Sequence, residues 1–367
     1  MAIELSDIIF TDQADIVPAF GVEEIVNTGH ANTLAGNDII TGTGGNVGIA
    51  NWEEATFNTG DGNDVITGEG TSSGILISSS ILDTGKGDDV ITGISTGTGG
   101  GILLFSALFN TGDGNDTING AGNGTGIINT AGSTLDTGKG NDIIQVVGVL
   151  GISNYGAIIT GSGKDSIVIN SESPIDFYAL DNYGIIETGD DDDIILSGGV
   201  IDNHGGINTG EGNDTILSSG AIDNHGGINT GNGNDIIIAG GGVNGTGTGY
   251  GIYNNGSRIE TGDGNDTIIA YDGFKSAPNS SGAWYLGESD DYIKGFGSGD
   301  FYGGNGNDTL ELTPGTYTVE IWGEAGESPI FKKGGQVMIT SEFETLIAGA
   351  TTYNFASLTA GQIITVS

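Results

Sequence analysis

Apolar residues recur at fixed places on both sides of a short polar turn. Two positions after an aspartate stand Ile66, Ile91, Ile118, Ile144, Ile167, Ile195, Ile216, Ile237, Ile268, Ile293 and Leu310. Two positions before a threonine stand Phe57, Leu82, Phe109, Leu135, Ile158, Ile186, Ile207, Ile228 and Ile259. Polar residues and glycines alternate with them, the period of two that strands buried on one face require. No stretch shows a 3.6-residue apolar period with helix caps. The pattern predicts an all-β chain in which one strand enters each turn and another leaves it.

The turn itself repeats. Thr59–Ile66 reads TGDGNDVI, Thr84–Ile91 reads TGKGDDVI and Thr111–Ile118 reads TGDGNDTI. Further versions open at Thr137, Thr188, Thr209, Thr230 and Thr261, and looser copies span Ala35–Ile40, Thr160–Ile167, Gly287–Ile293 and Gly304–Leu310. The closing aspartates are Asp38, Asp64, Asp89, Asp116, Asp142, Asp165, Asp193, Asp214, Asp235, Asp266, Asp291 and Asp308. Successive copies are 17 to 31 residues apart, so the turn is constant while the path between turns varies. A repeat of that length marks a solenoid. The expected fold is a right-handed parallel β-helix with terminal caps. Its coils should stack at about 4.8 Å, so around eleven of them give a rod of roughly 50 Å.

Residues 1–30 lack the motif and are expected to cap the N-terminal end. Residues 31–313 form the β-helix. Residues 314–367 change pattern and are expected to be a C-terminal β cap. A second ladder is expected seven residues before the first motif glycine, at Asn154, Asn182, Asn203, Asn224 and Asn255. The N-terminal coils carry Glu53, Ser78, Phe105 and Ala131 there, which implies two segments with different far sides.

Composition narrows the chemistry. The chain has 367 residues with 72 glycines and 5 prolines and no Gly-X-Y register, which excludes collagen. Its 48 acids against 8 bases give a formal charge of −40, which repels nucleic acid and opposes compaction unless cations bind. There is no cysteine, so disulfides and thiolate metal sites are absent. No apolar run reaches the ~20 residues of a membrane helix. The first residues, MAIELSDIIFTDQAD, have no basic region or apolar core of a Sec signal peptide.

The turn resembles the glycine-aspartate nonapeptide of the RTX, or hemolysin-type, calcium-binding proteins, with Thr usually in place of the first glycine. The resemblance runs from Asp38 to about Leu310. It implies Ca²⁺ held by the aspartate carboxylates and turn carbonyls of adjacent coils, with all twelve closing aspartates as side-chain ligands. Only one turn per coil matches, so calcium is expected along one edge rather than two. Hard oxygen ligands agree with Ca²⁺. An EF-hand is excluded, because the fifth position from Asp61 is Val65. The resemblance also implies type I export, a secretion signal within 314–367 and an extracellular or cell-surface location. Partners of such a protein would be calcium and a polysaccharide, a cell surface or another protein.

Three features fall outside the turn. Tyr155, Tyr183, His204 and His225 follow the ladder asparagines, and Asp181, Asp202 and Asp223 precede them. This column superficially resembles the cleft of β-helical polysaccharide lyases and uronan epimerases, which makes those four rings catalytic candidates. The near copies VIDNHGGINTG and AIDNHGGINTG offer plain duplication instead. Ice binding would need a regular outward Thr column between the glycines. That position holds Asp61, Lys86, Asp113, Lys139, Ser162, Asp190, Glu211, Asn232 and Asp263. Finally, Ile102, Leu103, Leu104, Phe105, Leu108 and Phe109 exceed what one inward strand needs, so they pack under a loop or form an exposed patch.

Overall fold

A computed structural model describes residues 2–18, 23–171, 178–241, 249–277, 282–322 and 328–367. Among them the chain is all-β, a solenoid of stacked coils with no α-helix and no helix long and apolar enough to cross a membrane. Each regular coil contributes three strands. In one coil Thr56–Asn58 leads into the glycine turn, Val65–Gly70 leaves it and Ser73–Ser78 forms the far side. Among the described residues these strands build a leading sheet of 16 strands, a trailing sheet of 15 and a far sheet of 12. The far side is thus an ordered sheet, more regular than the variable spacing of the turns implies. The length differences are taken up at the corners and in the connections between strands.

Within the coils neighbouring strands are parallel and in register, apart from a shift between Tyr178 and Leu180. Phe57, Leu82, Phe109 and Leu135 pair in succession on the leading sheet, and Ile66, Ile91, Ile118 and Ile144 on the trailing sheet. Every apolar position expected to face inward is buried. Stacked β-branched side chains suit such a pleated interior. Near the C-terminal end aromatic rings widen the core, with Trp284 stacked on Phe301 at 4.3 Å and Phe274 edge-on to it at 5.0 Å.

The asparagine ladder is longer than expected and one residue displaced at its end. It runs from Asn27 to Asn51, is interrupted by Ile77 and Leu104, and resumes from Asn129 through Asn154, Asn182, Asn203 and Asn224 to Asn254. Within each run an asparagine donates one amide proton to the next, and most give the other to a carbonyl around the corner, as Asn154 does to Asn182 Oδ1 at 2.7 Å and Ile185 O at 3.0 Å. Asn254 replaces Asn255 because its corner holds one more residue, Ser257, before the leading strand. The ladder therefore extends into the N-terminal coils, except the two that carry Ile77 and Leu104. Fixed counting from the turn misses Asn51 and Asn129 because their corners are two residues longer, and Asn27 because Leu34 stands where the first motif glycine would be.

At the N-terminal end Ile3–Glu4 and Ile16–Val17 already join the far and trailing sheets, and a 3-10 turn at Leu5–Asp7 stands where the leading strand would be. Leu5 is fully buried there. At the other end, strands Gly315–Trp322, Ser328–Lys333 and Ile363–Val366 extend the leading sheet in antiparallel fashion, which ends the solenoid. The apolar run divides by alternation. Ile102, Leu104 and Phe109 are in the core, whereas Phe105 and Leu108 are exposed on a corner.

Candidate metal edge and aromatic column

The twelve closing aspartates form one unbroken file inside the edge between the leading and trailing sheets. The backbone N–H of each donates to Oδ1 of the next, from Asp38 to Asp308, at 2.7–2.9 Å. All twelve are at most 2 % exposed. In all twelve the second oxygen, Oδ2, is buried without a hydrogen-bond partner. A buried carboxylate oxygen left unpaired is costly, and one in every coil is not an accident of packing.

The turn geometry explains the glycines. Gly60 has φ +95°, and a Cβ there would lie 1.6 Å from Leu34 O of the preceding coil. The second glycine tolerates substitution in two coils, where Asp191 and Ser289 adopt the left-handed conformation at φ +82° and +89°. The motif threonines are fully buried, and each hydroxyl donates to a carbonyl of the next coil, as Thr59 does to Thr84 O at 3.1 Å. Threonine in place of glycine therefore staples coil to coil.

Burial pushes the carboxyls of the whole file up. It raises Asp89, Asp165 and Asp266 to about 7, Asp291 to about 8, and Asp142, Asp193, Asp235 and Asp308 to about 6. Asp38, Asp64, Asp116 and Asp214 are raised for the same cause. The backbone N–H and, in every turn but those of Asp291 and Asp308, a nearby threonine hydroxyl oppose this without offsetting it. That hydroxyl has a single proton, already given to the next carbonyl. A file of desolvated carboxylates with one free oxygen each fits a hard divalent cation, which would replace the missing partner and hold the groups ionised.

Two end groups of the file lie outside the repeat. Asp15 N donates to Asp38 Oδ1 at 2.7 Å, and Glu344 Oε2 accepts from Asp308 N at 2.7 Å. Glu344 closes the ladder with a carboxylate from the C-terminal region. Its only sequence signal is Leu346 two positions on, the aspartate-to-isoleucine spacing without the glycines.

Outside the same turn runs a second, oppositely directed ladder. Asn63 Oδ1 accepts from Asp88 N at 3.1 Å, and Asn141 Oδ1 from Lys164 N at 2.8 Å. The exposed residues between the glycines bridge in register from Ala35 to Asn232, and Lys139 pairs with Asp113 at 3.0 Å. That outward surface is charged.

The Tyr155, Tyr183, His204 and His225 rings come together as a stack at a corner between the far and leading sheets, with centroids 4.9, 4.4 and 4.4 Å apart and planes within 6°. Asp181, Asp202 and Asp223 pair in register beside it, and burial raises all three. Arg258 is not part of the column. It lies on the leading sheet, paired with Glu260 and 4.4 Å over Tyr285. A shallow groove of about 260 Å³ between Ile185 and Arg258 is floored by Gly206 and Gly227.

No family model and no curated protein matches the chain. Among solved structures it is similar to the crystal structure of a hyperactive, Ca²⁺-dependent, β-helical antifreeze protein from an Antarctic bacterium. The two share 18% identity over 95% of this chain and 96% of the other, with a TM-score of 0.51. The likeness is one of fold.

Proposed function

We propose that the protein is a secreted or surface-associated calcium-binding β-helix of RTX type whose folding is coupled to Ca²⁺. The observation that carries this reading is the file of twelve buried aspartates, each with an unpartnered Oδ2. These carboxylates would hold the ions, which supply positive charge and the missing oxygen partner. About ten divalent ions would cancel roughly half of the formal charge of −40. At cytosolic calcium levels the charged file opposes closure of the coils. Outside the cell the ion's binding free energy adds to folding. Export by a type I system, reading a signal within 314–367, accords with this scheme. The role is structural, adhesive or binding, toward a polysaccharide, a cell surface or another protein.

The antifreeze activity of the structural neighbour does not carry over easily. The outward position between the glycines is mostly charged, with Asp61, Asp113, Asp190, Glu211 and Asp263 beside Lys86 and Lys139, where a flat uncharged array would be required. A lyase or epimerase role for Tyr155, Tyr183, His204 and His225 is also less well supported. Each inner ring is covered on both faces by its neighbours, and both His225 nitrogens face protein groups.

Circular dichroism of the full chain with and without chelator tests the proposal. Calcium removal is expected to lower the melting point sharply and weaken the β signal. An unchanged spectrum and melting point after thorough removal would overturn it.

A further inference from the structure

Two carboxylate oxygens elsewhere repeat the signature of the aspartate file in different chemistry. Asp202 and Asp223 are 6 % and 8 % exposed, and Oδ1 of each is buried without a hydrogen bond. Each lies 3.1 Å from an imidazole nitrogen, Nε2 of His204 and Nε2 of His225 respectively, out of line for an N–H···O bond. Ligating atoms of Asp202, His204 and His225 all fall within 4.8 Å of one another.

Simple ion pairing accounts poorly for this corner. It would need two imidazolium rings stacked face to face at 4.4 Å, and like charges so placed repel. One divalent ion replaces both protons and gives the orphan oxygen of Asp202 a partner. We infer that Asp202, His204 and His225, with Asp223 beside them, form a site for one zinc-type transition-metal ion, separate from the calcium edge. Two imidazoles and a carboxylate suit Zn²⁺, Ni²⁺ or Cu²⁺, whereas Ca²⁺ takes oxygen ligands. Ligand atoms around such an ion lie at most about 4.2 Å apart, twice the bond length, so the site closes when the two imidazoles tilt out of their parallel stack and turn their in-plane lone pairs toward one point.

The surroundings hold the ligands in place. Asn255 Nδ2 lies 2.7 Å from His225 Nδ1, and Tyr250 Oη donates to Asp223 Oδ2 at 3.2 Å. Tyr183 stacks on His204 at 4.4 Å, and Tyr253 meets His225 edge-on at 5.6 Å. With its amide turned so that Oδ1 faces Nδ1, Asn255 would accept the Nδ1–H of a metal-bound His225, the partner that fixes ring orientation at metal centres.

The test is calorimetric titration of the tag-free, calcium-loaded full chain with ZnCl₂ in excess Ca²⁺. One zinc per chain is expected. His204→Tyr and His225→Tyr keep an aromatic ring in the stack, as Tyr155 and Tyr183 do in earlier coils, but remove the ligand. Each should weaken zinc binding at least about tenfold, since even outer partners are worth that much. His30→Ala, far from the corner, should change nothing. Circular dichroism in calcium checks that each variant remains folded. A Co²⁺-loaded sample should show visible d–d absorption that both tyrosine variants lose. Zinc binding that is absent in the wild type, unchanged in either tyrosine variant or abolished by excess Ca²⁺ would overturn the assignment. The calcium reading is untouched by any of these outcomes.

Discussion

The backbone N–H of Asp64 donates to Oδ1 of Asp89 at 2.7 Å, while Oδ2 of Asp89 is buried with no partner. One oxygen thus ties coil to coil and the other is left for a cation. The two roles separate in a neutral isostere. Asp142→Asn keeps an acceptor for the Asp116 N–H but removes the charge. In calcium it is expected to cost about 2.7 kcal/mol, the worth of one ion at a hundred times its dissociation constant. In chelator it should stabilise, because a buried charge disappears. Denaturant melts in both conditions check this, and the same sign in both would refute the division of roles.

The raised carboxyls also set the sign of the pH dependence. In the metal-free chain the folded state holds protons on the file up to about 6 to 8, whereas unfolded aspartates release them near 3.9. The folded state therefore binds more protons in that window. Its stability is fully present below about 4 and falls as pH rises through 6 to 8. Melting temperature of dialysed, metal-free protein should be higher at pH 5 than at pH 8. With calcium bound the carboxylates are held ionised and the order reverses, since protons compete for the ligands. A metal-free melting point that rises from pH 5 to pH 8 would contradict the buried file.

The turn was legible because every link in it has a residue signature: glycine for φ, threonine for the coil staple, aspartate for the file and isoleucine for the core. The far sheet was less so. Its strands are positioned by corners of different lengths, so counting from the turn found Asn182 but missed Asn51 and Asn129 and chose Asn255 over Asn254, while Asn27 was missed because Leu34 replaces its motif glycine. Glu344 was hidden because it reaches the file from a region with a different chain path. The facing of His204 toward Asp202 depends on side-chain direction at a corner, which alternation along a strand does not specify.

The asparagine ladder makes its own prediction. Asn182→Leu should cost about 1–3 kcal/mol, because Asn154 Nδ2 loses its acceptor at 2.7 Å and Asn203 Oδ1 loses a donor. Ile77 and Leu104 show that an apolar residue fits this position when its neighbour is also apolar. Asn27→Leu, at the start of a run where Oδ1 is already unpaired, should cost less. Equal losses in thermal melts would argue against a cooperative ladder.

Glycines of the same chain should respond in opposite directions to an added side chain. Gly60→Ala places a Cβ against Leu34 O at φ +95°, so the coils must separate, and a loss well beyond 1 kcal/mol is expected. Gly227 is different. It lies on a leading strand, has no left-handed φ, and a Cβ there meets nothing within 4 Å. Gly227→Thr should therefore stabilise by about 0.5–1 kcal/mol, since threonine suits a strand and glycine does not. It would also fill the groove between Ile185 and Arg258. Chemical denaturation of the calcium-loaded variants decides the matter. A neutral Gly60→Ala would show that coil stacking at the turn is looser than the 1.6 Å approach requires.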